Sequence, residues 1–511
     1  MTTSTLSQKQ TSSPTAPPAV VVGSGFGGIA AAIRLQARGF QTTIVEMRDK
    51  PGGRAYVYEQ DGFKFDAGPT IITAPFLIDE LFALAGRKTE DYISIVPCTP
   101  FYRIMFHDGK VFEYTGKEDE ITEQIRKFNP DDVEGYKRFA DQSRQIFDRA
   151  FTDLADQPFS NFSEMLKVAP DLIKFRSHRS VYWLVSQYVK DPYLRQVFSF
   201  HPLLIGGNPF QSSSIYSMIH FLERKWGVHF AMGGTGALVD ALLKLFREMG
   251  GQIILNTRVE ELLVEEGEAR GVRLDSGQKL PAAVVVSNGD VCNFYRKAVN
   301  PAVRKKWTDK RLKSLRYSMG LFVLYFGTDR TYPELAHHSI ILTKRYKELL
   351  DDIFHHKILA DDFSLYLHAP TRTDPSLAPE GCECFYVLSP VPNLRGDVDW
   401  ESVKESYADR ILESLEVHCP DLRKHVVSKY IMTPKEFESD LDAYAGSAFQ
   451  SEPVLWQSAW FRPHNVSEDV KNFFLVGAGT HPGAGMPGVI SSAKLLEKVL
   501  PPAQEFQAVS A

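Results

Sequence analysis

An α/β fold is predicted by three stretches of this chain. Near its start, "AVVVGSGFGGIAAAIRLQARGFQTTIVE" (19–46) runs strand, glycine turn, helix, strand. Between 301 and 455, longer segments alternate aromatic and small residues, which suits a sheet with one face turned to a cavity. Near its end, "FFLVGAGTHPGAGMPGVISSAK" (473–494) again runs strand, glycines, helix.

Composition bounds the class. A chain of 511 residues with 43% hydrophobic content can bury a large core. Its length is compatible with roughly two to four domains. A net charge of −5 argues against a nucleic-acid protein, which would carry a strongly basic face. Five cysteines are too few for a disulfide framework, and Cys382 and Cys384 form C-x-C with no second pair. Reduced thiols in a reducing compartment are expected. Residues 1–18 are rich in Ser, Thr, Gln and Pro, with no apolar segment after a basic start. They read as a disordered leader, not a secretory signal. No apolar run reaches the ~18–20 residues of a membrane-spanning helix, so membrane contact would be peripheral.

The first stretch carries the dinucleotide fingerprint in its required context. Ala19 to Val22 is a buried parallel strand, Ile29 to Arg38 a helix stopped by Gly39, and Gln41 to Val45 a second strand. Gly23 permits the tight turn, Gly25 lets a pyrophosphate approach the backbone, and Gly28 lets the helix pack on the strand. Phe26 and Gly27 fill the motif between them. The helix N-terminus offers unpaired N–H groups to phosphates. Glu46, 18 residues beyond Gly28, is placed to accept from ribose hydroxyls.

A second bare loop follows Arg48: Pro51-Gly52-Gly53-Arg54, with one fixed cation. "FDAGPT" (65–70) then offers Pro69 and Thr70 as a further small-residue approach. Residues 75–86 read as a helix with a glycine stop, and 101–115 as strands around the "HDGK" turn.

From 131 to 229 the pattern is helical and aromatic, with interleaved Lys, Arg and His. It is either a helical insertion packed on itself or a lid whose aromatic and basic face rests in a lipid interface. Residues 237–249 read as a helix, 252–255 as a strand, 257–274 as a strand pair turning near Gly267, and 282–288 as a buried strand. The segments 318–327, 362–370 and 384–392 are the longer alternating strands. The basic run "VRKKWTDKRLKSLR" (303–316) reads as a solvated helix face. His201, His220, His337, His338, His368 and His481 are scattered without ligand spacing, so no metal is required.

Residues 19 to about 495 resemble the bacterial-type phytoene (carotenoid) desaturases, flavoproteins of the amine oxidase-like superfamily. "VVGSGFGGIAAAIRLQARG", "EMRDKPGGRAYVYEQDGFKFDAGPT", "FSLYLHAPTRTDPSLAPEG" and the C-terminal "FFLVGAGTHPGAGMPGVISSAK" carry the likeness. It implies FAD as cofactor and a Rossmann-type FAD domain formed by 19–100, 230–300 and 456–500. It further implies a mixed-sheet substrate domain from 101–130 and 301–455, a helical membrane-facing lid at 131–229, and a tail at 501–511. The implied reaction removes a hydride, passed to the flavin N5, and a proton in successive steps from phytoene, giving neurosporene or lycopene. Implied partners are partly desaturated carotenes, the membrane surface at the cytoplasmic face, and oxygen or a quinone as acceptor. Arg54 would meet the cofactor's phosphates and flavin end, Val259 the adenine through its backbone, and Gly479, Met486 and Val489 the pyrimidine end of the ring. Glu164 and Lys167 match a position where the family tends to show an acid and a base, usually Asp with Arg; they also fit a capping box and an i, i+3 helix pair. A carotenoid isomerase or other flavin oxidoreductase shares the same front-end motifs. A non-enzymatic escort of prenylated proteins on the same fold would not need them.

Overall fold

Five short strands lie parallel in one sheet, in the order Phe473–Leu475, Val284–Ser287, Pro18–Val22, Gln41–Val45, Gln252–Ile254. This computed structural model describes residues 16–154 and 157–506; most of the expected leader and the end of the expected tail lie outside the described residues. Val21 stands opposite Val286 on one side and Ile44 on the other. Such continuous apolar runs are what a sheet covered on both faces requires. The helices Phe26–Ala37, Phe76–Ala83, Gly234–Glu248 and Met486–Lys494 supply one cover. The other is a cluster built on Tyr295, Trp307 and the antiparallel strands Val259–Glu265 and Glu268–Leu274.

The first helix begins at Phe26, three residues before the sequence expectation of Ile29. Gly25 is extended (φ −66°, ψ 169°) and caps it, so Gly27 and Gly28 sit in the first turn. Gly39, at φ +88°, takes the chain out of the helix into the second strand.

A second, mixed sheet has seven strands, ordered Val426–Met432, Gly320–Thr328, Glu383–Val391, Leu365–His368, His338–Leu342, Tyr102–Phe106, Val111–Tyr114. One pairing, His338–Leu342 with Tyr102–Phe106, is parallel; the others are antiparallel. Its two faces divide by residue parity. Phe322, Leu324 and Phe326 pack toward the Trp400–Leu415 helix, while Leu321, Val323 and Tyr325 face the helical middle of the chain. That middle contains the helices Val133–Phe147, Phe162–Lys174, Val181–Ser186, Pro192–Ser199 and Met218–Trp226.

The basic run 303–316 follows its sequence reading only in its second part, where the helix Asp309–Ser314 exposes Lys310 and Lys313. The residues before it are pinned rather than solvated: Trp307 is 1% exposed, and the Lys305, Lys306 and Trp307 N–H groups donate to the Asp469 carboxylate at 2.6–2.9 Å. Glu468 pairs with the Lys306 ammonium and accepts from the Trp307 indole. Two acids distant in sequence therefore capture a segment whose local composition looks like surface.

Candidate active site

The two glycine loops expected near the start close on each other at the carboxyl ends of the parallel strands. Ser24 joins them: its carbonyl and hydroxyl both accept from the Gly52 N–H, at 3.1 and 3.2 Å. A Cβ on Gly53 would meet the Gly25 Cα at 3.3 Å. Glu46 is tied to the same turn, its Oε2 accepting from the Ser24 N–H (2.8 Å) and hydroxyl (2.6 Å), its Oε1 from the Arg48 N–H (3.0 Å). Ser24 and Asn288 were not singled out by the sequence. Asn288 follows the Val284–Ser287 strand and fills the space beside three glycines; a Cβ on Gly27 or Gly477 would stand 2.5 or 2.7 Å from its Oδ1, and one on Gly25 2.9 Å from its Nδ2.

One cavity of about 560 Å³ opens from this cradle. Gly23, Gly25, Phe26, Gly27, Glu46, Arg48, Gly52, Gly53, Arg54, Pro69, Thr70, Val259, Met486 and Val489 all line it. Gly28 does not; it lies behind the turn, where a Cβ would stand 2.0 Å from the Gly23 carbonyl oxygen. Gly479 does not either. A Cβ there would meet Gln450 Oε1 at 2.1 Å and Val291 at 2.6 Å, so Gly479 packs sideways and its neighbours Gly477 and Ala478 face the cavity instead. Arg462, fully buried, clamps this loop by donating to the Ala478 carbonyl (2.8 Å) and the Gln457 carbonyl (2.7 Å).

The donors suit a dinucleotide. Arg48 stacks on Tyr56 (3.6 Å to the ring centre) and its buried Nη1 has no hydrogen bond. Arg54 is buried with Nε likewise unpaired; desolvation pulls its guanidinium below the ordinary value, opposed by the Asp290 carboxylate. Helices Phe26–Ala37 and Met486–Lys494 carry no acid in their first turns, leaving their N-terminal N–H groups to an outside anion. Unpaired buried guanidinium nitrogens, two bare loops and two open helix starts fit the phosphates and ring of FAD.

Beyond the cradle the lining turns apolar: Leu203, Ile219, Met319, Leu321, Ile340 and Leu388 among others. The helix Phe162–Lys174 contributes Met165, Val168 and Leu172, one stripe at i, i+3, i+7. Glu164 and Lys167 are on that helix but not in the cavity. Glu164 Oε2 accepts from the Asn161 N–H (3.4 Å), capping its own helix, and Lys167 is exposed. Neither residue lines the cavity.

At the junction of polar cradle and apolar channel, Thr70 Oγ1 meets the Tyr386 hydroxyl (2.8 Å) and the Tyr366 hydroxyl (3.3 Å), both from the seven-stranded sheet. Burial pushes both phenols above their ordinary value, so they stay protonated. Behind Tyr366 stand histidines that looked scattered in sequence. His338 and His368 are direct partners in antiparallel register, and the ligating atoms of Cys98, His337 and His338 all lie within 4.8 Å of one another.

The model of the family described as flavin containing amine oxidoreductase matches residues 26–495. A lycopene-forming phytoene desaturase of Pantoea ananas is 52% identical over 481 residues, covering 93% of this chain and 97% of that protein. A neurosporene-forming phytoene desaturase of Cereibacter sphaeroides is 44% identical over 490 residues, covering 95% of each chain. Among solved structures, an oxidoreductase from Methanosarcina mazei shares the fold, with a TM-score of 0.64 at 18% identity over 94% of this chain and 100% of that one. With a dinucleotide cradle opening on a hydrocarbon-lined channel, and relatives of this identity along nearly its whole length, the chain belongs to the flavin containing amine oxidoreductases and, within them, to the phytoene desaturases.

Proposed function

We propose that this protein is an FAD-dependent desaturase that lengthens the conjugated system of phytoene, giving neurosporene, lycopene or both. The observation that carries the reading is the single cavity that joins the glycine cradle to an apolar channel. A hydrocarbon offers no hydrogen bonds, so its affinity must come from buried area, at about 25 cal/mol per Å². Bound FAD supplies the two-electron acceptor for a hydride. The glycine loops, Glu46, Arg48 and Arg54 hold it in a Rossmann-type unit. The apolar lining aligns the polyene and excludes water.

The helix Phe162–Lys174 supports a membrane-facing lid. Beside its cavity stripe it exposes Phe162, Leu166 and Ile173 (50, 59 and 74%), with Trp456 close by in the fold at 71%. Lys167, Lys174, Arg176 and Arg179 supply a basic rim, with Arg176 and Arg179 over the Trp183 ring. Apolar side chains rimmed by cations are the pattern of an interfacial helix. Among the described residues no helix is long and apolar enough to cross a membrane. On this reading the chain works as a peripheral protein at the cytoplasmic face of the cell membrane, drawing phytoene from the bilayer past this helix, with oxygen or a quinone as final acceptor.

The test is incubation of the FAD-loaded protein with phytoene in liposomes. Growth of the longer-wavelength polyene bands is the expected result. Unchanged phytoene, with flavin shown to be bound, would overturn the reading.

A further inference from the structure

Each desaturation must also dispose of a proton, and the channel is built to keep water out. Glu164 and Lys167, the acid and base suggested by sequence, lie outside it. A different set of groups leads from the channel to the surface. Tyr366 lines the cavity one hydrogen bond from Thr70, in the cradle, and its hydroxyl lies 2.7 Å from His338 Nδ1. His338 is fully buried and its other nitrogen, Nε2, has no partner. His368 stacks on His338, ring centres 5.3 Å apart, with its own Nδ1 unpaired. His368 Nε2 lies 3.0 Å from His337 Nε2, and His337 Nδ1 lies 2.5 Å from the Thr373 hydroxyl. Thr373 is partly exposed.

We propose that Tyr366 and His338 are the proton-accepting pair of the desaturation site, and that His368 and His337 pass the proton on to Thr373 at the surface. This rests on the desaturase reading above. The catalytic residue is Tyr366, which faces the substrate; His338 acts through it. As hydride leaves one carbon for the bound flavin, the C–H bond on the neighbouring carbon breaks and its electron pair becomes the new C=C bond. The released proton joins the Tyr366 oxygen while the original Tyr366 O–H proton passes to His338 Nδ1. His338 Nε2 has no partner, so its proton reaches the stacked His368 ring only when one of the two rings turns; the His368 Nε2–His337 Nε2 and His337 Nδ1–Thr373 contacts then carry it out.

The chemistry of the groups agrees with the geometry. Burial holds all three imidazoles below their ordinary value, so each is a free base at neutral pH and releases a proton as readily as it takes one. A carbon acid beside an allylic cation is strong enough to protonate so weak a base. A neutral tyrosine that accepts and donates in the same step never places a charge in the apolar channel, which a carboxylate would.

The experiment uses the FAD-loaded protein with phytoene in liposomes under anaerobic conditions, following the bleaching of flavin absorbance in one turnover. Tyr366→Phe removes one oxygen and keeps the ring. It is expected to retain flavin content, melting temperature and the phytoene-induced quench of flavin fluorescence, while bleaching slows at least a hundredfold. His338→Ala is expected to slow similarly and to recover with added imidazoles, in the order of their base strength, which a purely structural histidine would not give. Tyr366→Phe bleaching within threefold of the unaltered protein would overturn the proposal. So would recovery of His338→Ala by imidazoles regardless of base strength, or one tightly bound metal ion per chain that His338→Ala loses, which would make the cluster a metal site. If the unaltered protein holds flavin and is not bleached by phytoene, the desaturase reading fails first and the relay with it. Should His338→Ala not fold, Tyr366→Phe alone decides.

Discussion

Gly28 and Gly23 are in backbone contact: a Cβ on Gly28 would stand 2.0 Å from the Gly23 carbonyl oxygen and 3.1 Å from its carbon. The obstacle is backbone on both sides, so it cannot be relieved by turning a side chain. Gly28→Ala must therefore push the helix Phe26–Ala37 off the strand Pro18–Val22 and widen the turn that lines the cavity. Purified Gly28→Ala should contain less than a tenth of the normal flavin and melt earlier, an overpacking cost of about 1–3 kcal/mol or more. Gly267, in a hairpin turn where an added Cβ would meet nothing within 4 Å, is the control: at φ +80° Gly267→Asn should hold its flavin normally.

The glycine motif was legible because its physics is local. Gly23, Gly25 and Gly28 are five residues apart at most; Gly28 answers to the Gly23 carbonyl in the same turn, and Gly23 to its own φ of +90°. The partners that complete the site were not legible. Asn288 reaches the loop from a strand more than 250 residues on, and nothing in "VSNGD" announces it. The sequence points to Gly479 with Met486 and Val489, yet only the fold reveals that Gly479 turns toward Gln450 while Gly477 and Ala478 face inward. The histidines illustrate the same limit: His338 and His368 are 30 residues apart in sequence and opposite one another in register. Sequence spacing is read along one element, and sheet pairing assembles side chains across two.

Arg54 supplies a prediction with two signs. It is buried with an unpaired Nε, and the Asp290 carboxylate only partly offsets its desolvation. Without cofactor that charge is a burden; with a phosphate or flavin oxygen beside it, an asset. Arg54→Met should raise the melting temperature of the flavin-free protein and weaken FAD binding roughly a hundredfold or more, about 3 kcal/mol. Calorimetry of flavin-free and flavin-loaded forms checks both signs. A variant equally destabilised in both forms would remove Arg54 from the cofactor site.

Asp66 makes part of the stability run against the usual acid trend. Its carboxylate is fully buried, where it accepts from the Thr235 (2.9 Å) and Gly236 (3.4 Å) N–H groups at the start of the Gly234–Glu248 helix. Desolvation outweighs those bonds and lifts its pKa from 3.8 to about 6. Between these values the folded chain holds a proton that the unfolded chain has released. Its contribution is therefore largest below about pH 4 and falls as pH rises to about 6, by roughly 3 kcal/mol in all. Asp66→Asn keeps an acceptor for the helix and does not titrate. The stability of Asp66→Asn relative to the unaltered protein should rise from pH 4 to pH 6 and then level off, as denaturant melts at each pH would record. A difference that stays flat over that interval would contradict the assignment.

The helix Phe162–Lys174 lets catalysis be tested apart from the proposed membrane contact. Its stripe of Met165, Val168 and Leu172 lines the channel, while Phe162, Leu166 and Ile173 face outward on the adjoining side. Substituting the outer stripe leaves the channel wall intact. Leu166→Glu with Ile173→Glu places two anions where the membrane reading requires apolar contact. Sedimentation with anionic liposomes should then fall at least tenfold, since each charge costs about 1 kcal/mol or more at an interface. Flavin content should be unchanged, and phytoene presented in detergent micelles should be converted at close to the normal rate. Val168→Trp, on the inner stripe, should do the reverse: liposome binding stays, and phytoene conversion falls in micelles and liposomes alike because the ring fills the channel. If both substitutions act only on micellar turnover, the helix is part of the channel wall and the membrane contact lies elsewhere.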